Sequence, residues 1–351
     1  MKIALLGYAG SIHLMKLANS LASREIETVV ITQHKPLPDY DTRIKIIRLP
    51  FSGRLGYTLN APSLRRILAK EQPDILHTHF ASGYGTLGRI SRYLPNILSV
   101  WGSDIYIFPY KGKFARRILE KNLAKATAIF STSADMADAT EAISRRKVIV
   151  THFGIDTKKF TGRNVAPGPV LGTVRALQPI YGIDILIRAF GIFLQSPAGQ
   201  DAKLIIVGDG PQEKELRELT EQMKIADRVD FRGRVEHGKI PEILSEMKVF
   251  AVLSRSESYC VAALEAQACG VPVVASAVGG LPEVVRDGIT GILVPTEDPS
   301  AAAAAFERLF TDTSLSAAMS KAAVEFVRAD FEEEKCVDMI VNEYKNILGK
   351  V

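Results

Sequence analysis

The chain is poor in cysteine, holds a single tryptophan and contains no long apolar run. Cys260, Cys269 and Cys336 are too few for a disulfide scaffold and lack metal-ligand spacing, which fits a reducing compartment. No stretch approaches the ~20 apolar residues that a membrane-spanning helix needs. Met1–Gly7 is apolar but short and has no cleavage-like end, so it reads as a first strand rather than a secretion signal. A complete G-x-G-x-x-G is also missing. Gly7-Tyr8-Ala9-Gly10-Ser11 follows the first strand without that spacing, and no acid closes the second strand, so a dinucleotide cofactor is not indicated. Asp39-Tyr40-Asp41 has the letters of a metal-binding D-x-D but sits in a proline-rich loop. His77 and His79 share one face of a strand, yet no third ligand is near in sequence. No metal and no cofactor are expected.

What is present describes an ordinary globular protein long enough, at 351 residues, for two domains. The net charge of +5 hides an asymmetry. Residues 1–165 hold 25 Lys and Arg against 12 Asp and Glu, a balance of +13; the remainder holds 19 against 27, a balance of −8. A basic half joined to an acidic half suggests different partners, and the basic half suits anionic lipid or an anionic acceptor. Within it, Lys111, Lys113, Arg116, Arg117, Lys121 and Lys125 interleave with Phe114, Ile118, Leu119 and Leu123. That segment reads either as a helix packed by its apolar side or as one lying on an anionic membrane surface. Nucleic-acid binding is not expected, because no aromatic-basic recognition motif accompanies the charge. A cytoplasmic protein is expected, with contact at the inner face of the cell membrane as the option the basic half raises.

Strand and helix signals alternate along the chain, the pattern of parallel sheets covered by helices. Residues 2–6, 29–32, 44–49, 73–80, 97–100, 128–132 and 148–151 read as strands of a first domain. Asn164 to Pro169 is the strongest linker signal. A strand at 170–174 restarts the pattern.

One stretch organises the second half: Ser254 to Glu265, running on to Ala275. An apolar strand, Val249 to Leu253, leads into a polar turn, an Ala-rich helix, Gly-Val-Pro and a second apolar strand. Glu257 lies in the turn and Glu265 in the helix. Eight residues of continuous helix would turn the two carboxylates about 80° apart, so they can face one ligand only if Glu257 precedes the helix. Backbone amides of Ser258 to Val261 are expected to point outward at the positive end of the helix dipole. Amides beside two acceptor carboxylates suit a ligand with both phosphate and hydroxyls, such as a nucleotide sugar.

This stretch resembles the E-x7-E segment of retaining GT-B glycosyltransferases of glycosyltransferase family 4. Further segments match in order: Gly270-Val271-Pro272, Gly279-Gly280-Leu281-Pro282-Glu283, Asp287-Gly288 to Val294, His77-Thr78-His79, Trp101-Gly102-Ser103-Asp104 and Phe153-Gly154-Ile155-Asp156. The resemblance covers nearly the whole chain. It implies an α/β protein of GT-B architecture, two Rossmann-like domains facing a cleft. The expected division is an acceptor-side domain at residues 1–164, to which a last helix at about 332–351 returns, and a nucleotide-sugar domain at 165–331. The implied reaction is sugar transfer from a nucleotide-diphosphate sugar to a hydroxyl acceptor, with retention, without a metal, in cell-surface polysaccharide or glycolipid assembly.

The resemblance also implies roles. Glu265 accepts hydrogen bonds from ribose, Glu257 from sugar hydroxyls, and the amides of Ser258, Tyr259, Cys260 and Val261 hold sugar and phosphate. Arg175 neutralises the diphosphate; Gly10 approaches the donor; the backbone of Gly233 and Val235 holds the base. His79 approaches the transferred sugar, Ser11, His13 and Trp101 face the acceptor, and Asp104 either binds acceptor hydroxyls or helps to order the cleft. The chain departs from the pattern twice. Ile180 or Tyr181 stands where a second phosphate-binding cation, a Lys, is usual, for which Arg255 is a candidate substitute, and Cys260 stands where Gly is usual. Two alternatives stay open: another GT-B enzyme such as a sugar-nucleotide epimerase or phosphorylase, and a sugar-nucleotide-binding subunit with weakened catalysis.

Overall fold

The computed structural model of the protein describes residues 1–162 and 168–349. These form two compact units, Met1–Phe153 with the segment from Glu334 onward, and Gly154–Glu333. The expected division between residues 164 and 165, and most of the expected linker, lie outside the described residues.

In the first unit the strands are β1 (Lys2–Leu6), β2 (Glu27–Thr32), β3 (Lys45–Arg48), β4 (Ile75–His79), β5 (Asn96–Val100), β6 (Ala128–Ser131) and β7 (Ile149–Val150). Their order is β3-β2-β1-β4-β5-β6-β7 and every pairing is parallel. The second unit holds β8 (Val170–Val174), β9 (Lys203–Val207), β10 (Val229–Gly233), β11 (Val249–Val252), β12 (Val273–Ser276) and β13 (Gly291–Val294). These too run parallel, in the order β10-β9-β8-β11-β12-β13. Each sheet therefore reverses its strand order at its first strand, between β1 and β4 and between β8 and β11. Open α/β sheets bind ligands outside the carboxyl ends of strands at such switch points.

The strands are short apolar runs because helices cover both faces of a parallel sheet. Every residue of β11 and β12 is buried. In the second unit the helix Ile183–Phe193 is apolar nearly all round and packs against the helix Pro299–Thr311. Phe190, Phe193 and Phe306 are fully buried there, each contributing about 2–3 kcal/mol relative to exposure. Asp298 caps the second of these helices by accepting from the Ala301 amide at 2.9 Å, and Pro299 occupies its first turn.

The last helix, Glu333–Leu348, puts Val337, Ile340, Val341, Tyr344 and Ile347 into the core of the first unit beside Ile3 and Leu5. Its Tyr344 hydroxyl lies 2.6 Å from Nδ1 of His77. The helix Gly83–Ser91 carries three glycines in its own sequence, which mask its helical signal. Gly88 shows why one is needed: a Cβ there would come within 2.5 Å of Thr78 Oγ1 on β4.

Candidate active site

In the second unit the candidate residues gather at the carboxyl ends of β8, β10 and β11. Arg175 follows β8 directly. Glu257 lies in the loop after β11, and the helix begins only at Val261. The condition set by the eight-residue spacing is therefore met: Glu257 precedes the helix, and Glu265 sits one turn inside it. Glu257 and Glu265 are both buried. Arg175 forms a short ion pair with Glu257. A second guanidinium nitrogen of Arg175 donates to the Cys260 thiol at 3.4 Å. The Tyr181 ring lies over the guanidinium, 4.1 Å from its centroid. Burial opposes the Arg175 charge, but Cys260, Glu257 and Tyr181 around it hold its pKa above the ordinary guanidinium value. Burial pushes the Cys260 thiol up to about 12 against the pull of Arg175, so it stays protonated.

Cys260 is the N-cap of the helix Val261–Ala268 with φ +74°, a left-handed conformation that favours glycine, and its side chain makes no cap hydrogen bond. Gly279 and Gly280 let the next loop press on this turn. A Cβ on Gly279 would lie 1.9 Å from the Glu257 carbonyl oxygen, and the Gly280 amide donates to that oxygen at 3.1 Å. Two expectations need correction here. The Ser258 amide does not simply face outward; it donates to the Glu257 carboxylate at 3.1 Å. Arg255 does not stand in for the missing cation. It donates to both Asp184 oxygens at 2.8 Å and pairs with Glu297. Tyr259 is buried with its ring toward Phe331.

Glu265 has a partner that no sequence pattern announced: Nε2 of His237 lies 2.7 Å from its Oε1. His237 sits in the loop after β10, its ring against Phe160. Gly233 ends β10 with φ +64° and open space beside its Cα. Its carbonyl accepts from the Gly208 amide at 2.8 Å. Val235 is half-buried in the same loop.

The first unit places its candidates at the carboxyl ends of β1, β4 and β5. His79 ends β4 and is buried, and neither ring nitrogen has a hydrogen-bond partner. Burial lowers its pKa to about 3, so the ring is neutral. His77, its face-mate at 4.0 Å between ring centres, is occupied by Tyr344 and by Ser99 at 2.7 Å. Burial, then the neighbouring His79, hold its pKa well below the ordinary value. Both nitrogens of His77 are thus spent, which leaves the H-x-H pair without two available metal ligands. Among the described residues no group of three His, Cys, Asp or Glu could hold a metal ion.

Trp101 lies 5.2 Å from His79 between ring centres, and His13 stacks on Phe153 at 4.3 Å. Ser11 caps the helix Ile12–Ser23, accepting from the His13 amide at 3.2 Å. Gly10 lies under the Tyr8 ring, where a Cβ would come within 2.6 Å. Asp104, with contact to the acceptor as one of its two expected roles, is instead fully buried and spent on the backbone. It accepts from Ala81 at 2.7 Å, Gly102 at 2.9 Å and Trp101 at 3.1 Å. Burial raises its pKa and these amides oppose the rise. Its work is to order the loop that carries Trp101.

Residues 155–326 match the family model of glycosyl transferases group 1, and residues 2–133 match that of glycosyl transferase 4-like proteins. The chain is 26% identical over 305 residues to N-acetyl-alpha-D-glucosaminyl L-malate synthase of Bacillus anthracis, covering 82% of this chain and 78% of that one. It is 27% identical to D-inositol 3-phosphate glycosyltransferase of Actinosynnema mirum, covering 95% and 91%. Among solved structures, sucrose-phosphate synthase of Thermosynechococcus elongatus superposes with a TM-score of 0.86 at 23% identity, over all of both chains. Anabaena HepE in complex with UDP superposes with a TM-score of 0.85 at 20% identity, over 99% of this chain and 100% of that one.

Proposed function

For this chain, which belongs to the GT-B glycosyltransferases, we propose a retaining transfer of a sugar from a nucleotide-diphosphate sugar to a hydroxyl acceptor, without a metal. The observation that carries the reading is the cluster at the carboxyl ends of β8 and β11: Arg175, Glu257, the Cys260 turn and Glu265. Structures of the related fold bind UDP and UDP-glucose in the case of Anabaena HepE. In the proposed complex the Glu265 carboxylate accepts from ribose hydroxyls and Glu257 from sugar hydroxyls. Arg175 and the helix amides take the diphosphate charge that grows as the bond to the sugar breaks.

No covalent nucleophile is assigned. Glu257 is neutralised by Arg175, and a carboxylate so paired is a weak nucleophile. The departing phosphate oxygen takes the acceptor proton, with departure and attack on one face. His79 is neutral. A neutral imidazole has one donor and one acceptor nitrogen, which suits a sugar hydroxyl that also does both.

The acceptor belongs to polysaccharide or glycolipid assembly at an anionic membrane surface. One finding supports the surface, and it lies outside the packed part of the basic helix. In the helix Lys113–Lys125, Leu119 and Leu123 are buried, so that part of its apolar side packs inward. Tyr110 and Phe114, by contrast, are 74% and 78% exposed amid Lys111, Lys113, Arg116 and Arg117. Exposed aromatic tips within a basic cluster match the interface of a bilayer with anionic headgroups. No described helix is long and apolar enough to cross a membrane.

A thermal-shift screen against nucleotide sugars tests the donor reading. A stabilising donor is expected to raise the melting temperature and to be consumed only when an acceptor is added. Conversion of the donor alone would favour an epimerase, and the absence of any stabilising nucleotide sugar would remove the proposal.

A further inference from the structure

Arg175 has no second cation beside it in the turn where the resemblance leads one to look. Residues 179–181 form a 3-10 turn there, and Tyr181 lays its ring over the guanidinium at 4.1 Å. We propose that Tyr181 is a positioning residue for Arg175, presenting its ring face where a second cation is usual and holding the guanidinium in the plane from which it meets the donor diphosphate. The inference rests on the nucleotide-sugar reading above.

A guanidinium donates in its own plane and stacks through its faces. Tyr181 takes a face, so it competes with none of the N–H groups. Glu257 and the Cys260 thiol take two of the in-plane directions. Nε of Arg175 is buried with no hydrogen-bond partner. A guanidinium carries five N–H groups; the two contacts use one on each terminal nitrogen, so a donor remains on each for a phosphate oxygen while the ring stays in place.

The position of the ring is itself built. The Arg255 amide donates to the Ile180 carbonyl at 2.8 Å, and the Arg255 guanidinium donates to the Pro179 carbonyl at 2.6 Å. The same guanidinium grips Asp184 at the start of the helix Ile183–Phe193 with two bonds of 2.8 Å. Gly182 closes the turn at φ +61°, and a Cβ there would lie 1.9 Å from the Leu253 carbonyl oxygen. Arg255 therefore latches the Tyr181 turn onto the loop after β11. Its own charge is met by Asp184 and Glu297, which removes it as a phosphate ligand and leaves the ring as the neighbour that steers Arg175.

Calorimetry on the full chain tests this. UDP, GDP, ADP and dTDP are titrated into wild type, and the tightest is carried forward together with its parent nucleoside. Tyr181→Ala is expected to weaken the diphosphate about tenfold, a typical worth for a desolvated cation–π contact, and to leave the nucleoside unchanged. Tyr181→Phe, which keeps the ring, is expected to stay within about threefold of wild type. Tyr181→Lys restores two cations, and diphosphate binding is expected to become tighter and more salt-sensitive. Unchanged diphosphate affinity in Tyr181→Ala overturns the inference. So does an equal loss in Tyr181→Phe, which would assign the effect to the hydroxyl, or a parallel loss of nucleoside, which would make it structural. If Tyr181→Ala does not fold, the Phe and Lys variants decide the matter by the same criteria. If none of the four diphosphates binds wild type, the donor-site reading fails first and the inference falls with it.

Discussion

Arg175 and Glu257, 82 residues apart in the chain, meet as an ion pair between the loops that leave β8 and β11. The two strands are neighbours in the sheet, Val249 beside Leu171 and Phe250 beside Gly172, so their carboxyl-end loops emerge side by side. The side chains are 10% and 9% exposed. A pair this buried is only modestly stabilising as a whole, but removing one member strands the other.

Glu257→Ala is accordingly expected to lower unfolding free energy by about 3 kcal/mol in urea titrations, because Arg175 is left without its carboxylate. Arg175→Ala is expected to cut kcat/KM at least about 100-fold by removing the charge that meets the leaving diphosphate. Wild-type turnover in Arg175→Ala would restrict the pair to a structural role.

Glu265 and His237 share a 2.7 Å contact but are expected to respond differently. Two ribose hydrogen bonds to a carboxylate are together worth about 3 kcal/mol, so Glu265→Ala should weaken the nucleotide roughly 100-fold, to the edge of detection in calorimetry. His237→Ala leaves those acceptors in place and should stay within about threefold. Unchanged affinity in Glu265→Ala would remove the ribose assignment.

His79 makes stability depend on pH. Its pKa falls from 6.5 in the unfolded chain to about 3 in the fold. Between these values the unfolded state binds a proton that the native state does not. The contribution is therefore fully present above 6.5 and is lost as pH falls toward about 3. Inside that window wild type should lose about 1.4 kcal/mol more per pH unit than His79→Gln. Denaturant titrations of both proteins across the window measure the difference, and parallel slopes would show that His79 titrates normally.

Cys260 holds a left-handed backbone at φ +74°. Holding that conformation costs a side-chain-bearing residue about 1–2 kcal/mol, partly offset in glycine by chain entropy. Cys260→Gly should therefore fold with equal or up to about 1 kcal/mol greater stability. Cys260→Val, branched at Cβ, should lose at least about 2 kcal/mol. Thermal melts of both variants check the order; a more stable Val variant would contradict the strain argument.

Phe114 and Tyr110 test the membrane surface. Replacing both with Ser should reduce sedimentation with vesicles containing phosphatidylserine and leave turnover of a water-soluble acceptor unchanged. Charge reversal of Lys113 and Arg116 should weaken the same binding by about 1 kcal/mol for each cation removed. Equal sedimentation of all variants, or none by wild type, would exclude the surface.

Much of this was written in the chain. The apolar runs of β8, β9, β11 and β12 announce buried parallel strands because both their faces are covered. The alternation with helical segments announces two doubly wound sheets, and the E-x7-E spacing set a geometric condition that the helix start at Val261 meets. Local signals were weaker where glycine served packing. The helix Gly83–Ser91 looks unlike a helix because Gly88 makes room for β4.

Periodicity, turn chemistry and glycine placement act between near neighbours, so the order of residues along the chain was enough to set which strands and turns exist and which residue types stand at their carboxyl ends. How the charges were spent was settled by packing across the fold. Arg255 went to Asp184 and Glu297, Asp104 to three backbone amides, His237 to Glu265, and Tyr181 to the face of Arg175. Each of these choices is made across a fold, between groups that share no local pattern. In a buried site a polar group takes whichever partner the packing brings within hydrogen-bond reach.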